Sequence, residues 1–168
     1  GVDHVLEQSG PGDGAGPLRT RAHGDTRSIP VELQESMYPY RVAEFGLRQD
    51  SAGAGKFRGG LGFRKKYQLL GDADLQAMFD RVKYPPWGVY GGKEGQSGRI
   101  VVEKKSGETE IIYKEKAYPL KAGDKITVET GGGGGYGAPS ERPRESVERD
   151  VMRGYVSAEA AARDYGSR

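Results

Sequence analysis

Glycine is concentrated in residues 50–62, whose sequence is DSAGAGKFRGGLG. Five of these thirteen residues are glycine. Because glycine loses more backbone entropy on folding than any other residue, this density disfavours both a helix and a regular strand. A flexible tether would be rich in serine and free of large apolar residues, whereas this segment contains Phe57 and Leu61. We therefore predict an ordered loop between two strands.

The same segment contains a Gly-Lys pair, as phosphate-binding loops do. A Walker A loop needs Gly-x4-Gly-Lys-Ser/Thr, in which the hydroxyl group binds magnesium. Gly55 and Lys56 supply the pair, but Asp50 stands at the first glycine position and Phe57 at the Ser/Thr position. No helix-forming run follows. The segment is therefore predicted not to bind a nucleotide phosphate.

The composition limits the classes of partner. With 168 residues, the chain is one domain or a piece of a larger one. Its net charge of +2 gives no electrostatic reason to expect a nucleic acid or a membrane as partner. The absence of cysteine fits a cytoplasmic protein. Because residue 1 is glycine, we also expect a processed chain or part of a longer one.

Short segments separated by turn residues predict a mainly β fold. The clearest unit is a hairpin, in which residues 99–104 and 109–113 flank Ser106 and Gly107. Further strands are predicted at residues 40–47, 62–70, 75–82 and 125–130, and a short helix at residues 28–37. The expected architecture is a mostly antiparallel, two-layer β body that forms a piece of a larger α/β enzyme subunit.

Composition also divides the chain into three parts. Residues 1–21 form an irregular lead-in rich in glycine and proline, residues 22–139 form the β body with its glycine loops, and residues 140–168 form a two-helix tail. Ser157 and Gly166 mark the ends of the second tail helix. Because both helices are short and the chain has 28 glycines, we expect it to fold poorly unless larger subunits hold it.

A set of motifs runs in order along nearly the whole chain. They are HGDTRSIPVELQE at residues 23–35, LRQDSAGAGKFRGGLG at 47–62, PPWGVYGGKEG at 85–95, KAGDKITVETGGGGGYGAP at 121–139, and ERPRESVERDVMRGYVSAEAAARDYG at 141–166. Together they make the chain resemble the C-terminal third of the hydantoinase B/oxoprolinase family, which includes the large subunits of acetone and acetophenone carboxylases. One departure stands out: Asp25 replaces an asparagine that is common in the family, which indicates a specialised substrate.

The resemblance implies an ATP-dependent enzyme. Members of this family couple ATP hydrolysis to the opening of a cyclic amide, such as hydantoin or 5-oxoproline, or to the carboxylation of a ketone. It also implies that ATP and Mg²⁺ are bound by a hydantoinase A-like partner subunit, in a hetero-oligomer that contains the remainder of a hydantoinase B-like subunit. The alternative, from another class of protein, is a non-catalytic β-sandwich module for binding or assembly.

Three residues are candidate ligands of a divalent metal. His23 and Asp25 lie two apart, so on a strand they would share a face. With His4 they would form a set of two histidines and one carboxylate. The alternative is a solvated loop that binds no metal. His23 and Asp25 are also candidate catalytic residues.

Three further candidates for catalysis are Glu32, Arg58 and Arg81. Glu32 would act as an acid or base, unless it lies on the surface of a helix. Arg58 lies among glycines and Arg81 precedes a Pro-Pro-Trp corner. Either arginine would bind a carboxylate or phosphate, or would join two loops through a structural ion pair.

The remaining candidates concern substrate binding. Trp87, the one tryptophan of the chain, would line a substrate pocket or pack in the core. Gly133 and Gly134 belong to the run at residues 131–137, whose backbone N–H groups would approach an anionic intermediate. The alternative is that the chain passes there through a gap in which only glycine fits.

Overall fold

The structure is a computed structural model that describes residues 12–16, 29–78 and 82–166. Within these residues the strands are β1 (Tyr40–Leu47), β2 (Phe63–Leu69), β3 (Ala73–Met78), β4 (Arg99–Glu103), β5 (Thr109–Ile112), β6 (Lys114–Leu120) and β7 (Lys125–Glu129). The helices are α1 (Val31–Met37), α2 (Arg144–Met152) and α3 (Ala158–Tyr165), with a short 3-10 turn at Pro139–Glu141.

Two antiparallel layers form the body of the fold. Five strands make one sheet in the order β1-β2-β7-β4-β5, while β3 and β6 pair with each other. Side chains from both layers enclose one apolar core, which consists of Leu69, Ala77, Ile100, Val102, Ile112, Leu120 and Ile126. This confirms the predicted mainly β fold with a helical tail.

Alternation of apolar residues determines the central part of the sheet. In β4, Ile100 and Val102 are 2% and 0% exposed, and the half-buried Val101 between them points to the other face. Ile100 pairs with Ile112 of β5, and Val102 pairs with Ile126 of β7. Such cross-strand apolar pairs stabilise a sheet, and the predicted hairpin is confirmed.

Two features of the body differ from the sequence prediction. The third strand runs from Ala73 to Met78, rather than from residue 75 to residue 82. Strand β6 was not predicted, because it contains Pro119 and consists largely of charged, exposed residues. The proline is tolerated because β6 lies in a two-stranded ribbon, where each strand has a free edge.

The two tail helices are confirmed. The Ser157 side chain accepts a hydrogen bond from the Ala160 N–H, as expected of an N-cap. Gly154 follows α2 and Gly166 follows α3, with positive φ values of 70° and 77°. Across the described residues, no helix is long and apolar enough to cross a membrane.

Candidate functional site

Three glycine-rich segments lie side by side next to the sheet and form what we call the glycine bundle, residues 50–62, 86–96 and 131–137. They are neither helices nor regular strands. Backbone hydrogen bonds join them: Gly53 donates to Gly133 at 2.8 Å, and Gly135 donates to Lys93 at 2.8 Å. The predicted glycine loop is therefore an ordered part of a larger backbone-bonded unit.

Close approach of backbones explains the glycines. A Cβ atom on Gly134 would lie 1.9 Å from the Trp87 carbonyl oxygen, and one on Gly59 would lie 2.0 Å from that of Gly133. Several of the glycines recur at intervals of three residues, including the pairs 59 and 62, 92 and 95, and 132 and 135. Three residues per turn is the period of a polyproline II helix, which places every third side chain on one face.

The bundle uses its own backbone donors. The N–H groups of Lys56 and Phe57 donate to the carbonyl groups of Gly137 and Tyr136. These two N–H groups, which stand at the Lys and Ser/Thr positions of the Walker A comparison, are therefore not available to a phosphate. The Gly133 N–H likewise donates to Gly60 at 2.8 Å. This bond supports the alternative in which residues 131–137 pass through a crowded gap.

A first ion cluster joins the bundle to the tail, and its members are Asp13, Arg58, Arg142 and Asp150. Asp150 is 3% exposed and accepts from Arg58 Nε at 3.1 Å and from Arg142 Nη2 at 2.6 Å. Arg142 also donates to Asp13 at 2.6 and 2.8 Å. Arg58 thus has the ion-pair role that the sequence left open, since it links segment 50–62 to helix α2.

The environment of the first ion cluster favours its charged form. Burial raises the pKa of Asp13, but hydrogen bonds from Arg142 and from the Arg58 N–H outweigh it and leave that pKa below its ordinary value. Burial lowers the pKa of Arg142, yet its hydrogen bond and charge interaction with Asp13 hold it above the ordinary value. The cluster is therefore a set of paired charges that fixes the tail.

A second ion cluster lies where the sheet meets the bundle, and it consists of Arg48, Arg64, Arg99 and Glu129. The Glu129 residue is 1% exposed. One of its oxygens accepts from Arg99 Nε at 2.6 Å and lies 3.5 Å from Arg48 Nε, while the other accepts from Arg64 Nε at 2.8 Å. Three guanidinium groups therefore surround one buried carboxylate.

Burial and charge oppose each other in this cluster. Burial raises the pKa of Glu129, but hydrogen bonds from Arg99 and Arg64 and the charge of Arg48 outweigh it, so the pKa is lowered. Burial lowers the pKa of Arg48, whose Nη1 also donates to the Ser97 and Thr130 carbonyl groups. Glu129 is thus held as an anion among cations.

A cleft of about 320 Å³ opens beside the second ion cluster. Polar side chains dominate its lining, which includes Arg48, Glu94, Gln96, Ser97, Arg99 and Tyr113. A larger groove of about 760 Å³ runs between α2 and α3, where Val147, Val151 and Ala161 supply mainly apolar lining. The smaller cleft offers more groups for recognising a polar ligand, so it is the candidate site.

The structure distributes the predicted site residues over several places. Glu32 lies exposed in the first turn of α1. Trp87 is 57% exposed, so the alternative that it packs in the core of this chain is wrong. Gly133 and Gly134 are buried in the bundle. His4, His23, Asp25 and Arg81 lie outside the described residues, and so does the predicted metal site.

Sequence reasoning missed the members of the second ion cluster. Each of three lies at a junction between a strand and the bundle: Arg48 follows β1, Arg99 begins β4, and Glu129 ends β7. Charged residues directly beside glycine-rich segments are the sequence signal that would have indicated them. Residues 12–16, 29–78 and 82–166 contain no group of three or more histidine, cysteine or carboxylate side chains placed to hold a metal.

Comparisons with known proteins identify relatives. The family model described as Hydantoinase B/oxoprolinase matches residues 8–139. The B-type subunit of a putative D-/L-hydantoinase from a Pseudomonas species is 34% identical over 86% of this chain and 25% of its own length. The beta subunit of the caprolactamase from Pseudomonas jessenii is 34% identical over 85% of this chain and 26% of its own length. The chain thus spans about a quarter of the length of these relatives.

Two solved structures share the fold. The ATP-dependent caprolactamase from Pseudomonas jessenii superimposes with a TM-score of 0.75 at 32% identity, covering 83% of this chain and 25% of its own. Nucleotide-free acetone carboxylase superimposes with a TM-score of 0.77 at 20% identity, covering 92% of this chain and 25% of its own. At that lower identity the second likeness concerns the fold alone.

Proposed function

Since this chain belongs to the hydantoinase B/oxoprolinase family, we propose that it forms part of an ATP-dependent enzyme that opens a cyclic amide. The observation that carries the proposal is 34% identity, over 85–86% of the chain, to subunits of a hydantoinase and a caprolactamase. Acetone carboxylase shares the fold at 20% identity. Amide hydrolysis is therefore favoured over ketone carboxylation.

The proposed enzyme consists of several parts. Two relatives are named as subunits, which supports a hetero-oligomer with the remainder of a hydantoinase B-like subunit and with a hydantoinase A-like ATP-binding subunit. ATP and Mg²⁺ are assigned to that second subunit, which agrees with the absence of a Walker A sequence in segment 50–62 and with the use of the Lys56 and Phe57 N–H groups inside the bundle. Dependence on ATP also supports a cytoplasmic location. A metal at His4, His23 and Asp25 stays a prediction from the sequence.

Within this enzyme, the described residues would position groups rather than attack the substrate. The first ion cluster pairs its charges internally, and so does the greater part of the second. The close backbone contacts of the glycine bundle hold these clusters in place, because rotation of a side chain cannot relieve a contact between backbone atoms. The chain would therefore form one wall of the active complex, with the polar cleft facing small molecules.

The rival proposal is a non-catalytic module for binding or assembly. It is favoured by the same internal pairing, because a buried arginine that neutralises an aspartate has little capacity left for a substrate. Under this rival, the cleft and the α2–α3 groove would only dock other parts of the complex.

One assay separates the two proposals. The full-length polypeptide that contains this chain is purified with its ATP-binding partner, and phosphate release is measured with hydantoin, 5-oxoproline, caprolactam, or acetone plus bicarbonate. We expect release that depends on a cyclic amide and requires both components. If acetone plus bicarbonate were the one substrate in this set that caused phosphate release, amide hydrolysis would be refuted. Turnover that survives deletion of residues 12–166 would favour the rival.

A further inference from the structure

We propose that the cleft beside the second ion cluster binds the ring-opened product, a small molecule with a carboxylate at one end and an amine or ureido N–H group at the other. The identity of this ligand rests on the proposed function. Its chemical class follows from the side chains that line the cleft, in particular Arg99 and Glu94.

Arg99 offers hydrogen-bond donors that the described residues do not use. Its Nε donates to Glu129 at 2.6 Å, and its side chain is 41% exposed. Among residues 12–16, 29–78 and 82–166, no acceptor is bonded to its two Nη groups. A guanidinium group has two edges that can bind carboxylates. Arg99 can therefore hold Glu129 on one edge and a ligand carboxylate on the other.

The charges around Glu129 leave a positive excess at the cleft. Arg48, Arg64 and Arg99 carry three positive charges. Two carboxylates lie within 4.0 Å of these arginines among the described residues: Glu129, and Glu44 at 4.0 Å from Arg64. Within this cluster of the described residues the positive charges outnumber the carboxylates by one, and Arg99 lines the cleft with both Nη groups unused there. A ligand carboxylate is therefore the group that Arg99 can bind.

Glu94 makes the cleft selective against a simple anion. It is exposed, lines the same cleft as Arg99, and forms no ion pair with any described residue. The side chains of Gln96 and Tyr113 add further hydrogen-bonding groups. A phosphate dianion would be repelled by the Glu94 carboxylate. A ligand that carries its own N–H donor would satisfy Glu94 and Arg99 together.

Hydrolysis of a cyclic amide produces such a ligand. Water adds across the C–N bond, so the carbonyl carbon gains the oxygen and becomes a carboxylate, while the nitrogen gains a proton and becomes an amine, or a ureido group from a hydantoin. The closed rings of hydantoin and caprolactam have no carboxylate for Arg99, whereas 5-oxoproline already has one and gains a second carboxylate and a free amine when its ring opens. A volume of about 320 Å³ lies at the small end of ligand pockets and suits a molecule of this size.

The test measures binding to the full-length polypeptide in its complex, without ATP, by titration calorimetry. The probes are 6-aminohexanoate, glutamate and N-carbamoylglycine, with caprolactam, hexanoate and inorganic phosphate for comparison. We expect at least one amino or ureido carboxylate to bind more tightly than the closed ring and phosphate. Arg99→Lys should weaken that binding at least about tenfold, because the bidentate pairing is lost.

Glu94→Gln is the cleaner variant, since Glu94 is exposed and has no ion pair among the described residues. It should weaken the amino or ureido carboxylate at least about fivefold, because its N–H end contacts Glu94. Hexanoate has no such donor and should not be weakened, since the variant only removes a repelling charge from the cleft. The matched control is Glu108→Gln, an exposed glutamate in the β4–β5 turn, which should change neither. Thermal melting of each variant checks that the fold is intact.

The outcomes separate this inference from the proposed function. If the complex opens cyclic amides, but Arg99→Lys and Glu94→Gln bind the probes as tightly as the unchanged protein does, the product site is overturned and the activity stands. Phosphate that binds more tightly than every carboxylate would also overturn it. Binding that depends on both residues in a complex without amide turnover would support the cleft and refute the activity.

Discussion

Gly134→Ala should destabilise the glycine bundle strongly. The added Cβ would lie 1.9 Å from the Trp87 carbonyl oxygen and 2.8 Å from the Gly88 nitrogen. Both contacts are backbone atoms, so no side chain can rotate away. The segments would have to separate by about 1 Å before the nearest contact became tolerable.

The magnitude follows from the bonds that such a separation would break. Gly135 donates to the Lys93 carbonyl group at 2.8 Å and accepts from the Val89 N–H at 2.9 Å, and both bonds join the two segments that would separate. An increase of about 1 Å places both pairs beyond hydrogen-bonding distance. Two lost bonds cost about 2 kcal/mol, and overpacking costs about 1–3 kcal/mol. We expect a loss of about 3–5 kcal/mol in the free energy of opening the bundle.

Hydrogen exchange followed by mass spectrometry measures this loss in the full-length polypeptide. Peptides that span residues 86–96 and 131–137 should exchange at least about a hundredfold faster in Gly134→Ala. The matched control is Gly46→Ala in β1, where an added Cβ would meet nothing within 4 Å. That variant should be neutral or slightly stabilising. Equal exchange in the two variants would refute the close-packing explanation.

Three other predictions concern the ion clusters and the isolated chain. Asp150→Asn should lower the free energy of unfolding by about 3–5 kcal/mol, because Arg58 and Arg142 stay buried without their shared anion. The control Glu148→Gln removes one member of an exposed ion pair and should lower it by less than about 0.5 kcal/mol. Urea denaturation measures both values, and equal losses would contradict the prediction. Because the pKa values of Asp13 and Glu129 are lowered in the folded protein, their contribution to stability is fully present above about pH 4–5. It is lost as the pH falls through their folded-state pKa values. In Glu129→Gln the free energy of unfolding should fall less steeply with decreasing pH, as measured by urea denaturation at several pH values. The same slope as in the unchanged protein would count against the prediction. Expressed alone, the chain should melt broadly or self-associate, since Phe45 and Met152 are 63% and 80% exposed; sedimentation as a monomer with a sharp transition well above about 60 °C would disprove it.

Local patterns were sufficient to predict the sheet and the tail. The alternation of Ile100 and Val102, with the turn at Gly107, specifies the hairpin through neighbouring residues alone. Ser157 and Gly166 likewise fix the ends of α3 through local backbone chemistry. Strand β6 was missed because its charged residues show no apolar alternation, and its pairing with β3 depends on the tertiary structure.

The glycine bundle and the ion clusters were not predictable in the same way. Glycine density indicated an ordered segment, but the partner of each glycine lies far away in sequence, as Gly59 against Gly133 shows. Asp150 lies 92 residues from Arg58, and Glu129 lies 65 residues from Arg64. No spacing rule connects residues at such separations. The candidate cleft depends on these contacts, so its residues could be assigned only from the structure.

The two ion clusters explain how a glycine-rich bundle can be held in place. Among the described residues of the bundle, few apolar side chains such as Leu61 are buried, so backbone hydrogen bonds and neighbouring elements supply much of what fixes its position. The second cluster fixes the bundle to the sheet through Arg48 and Glu129, and the first fixes it to α2 through Arg58. The cleft lies at the sheet junction and shares Arg48 with the second cluster. A change in the pairing of Glu129 should therefore move the walls of the cleft, whereas a change at Asp150 should first release the tail.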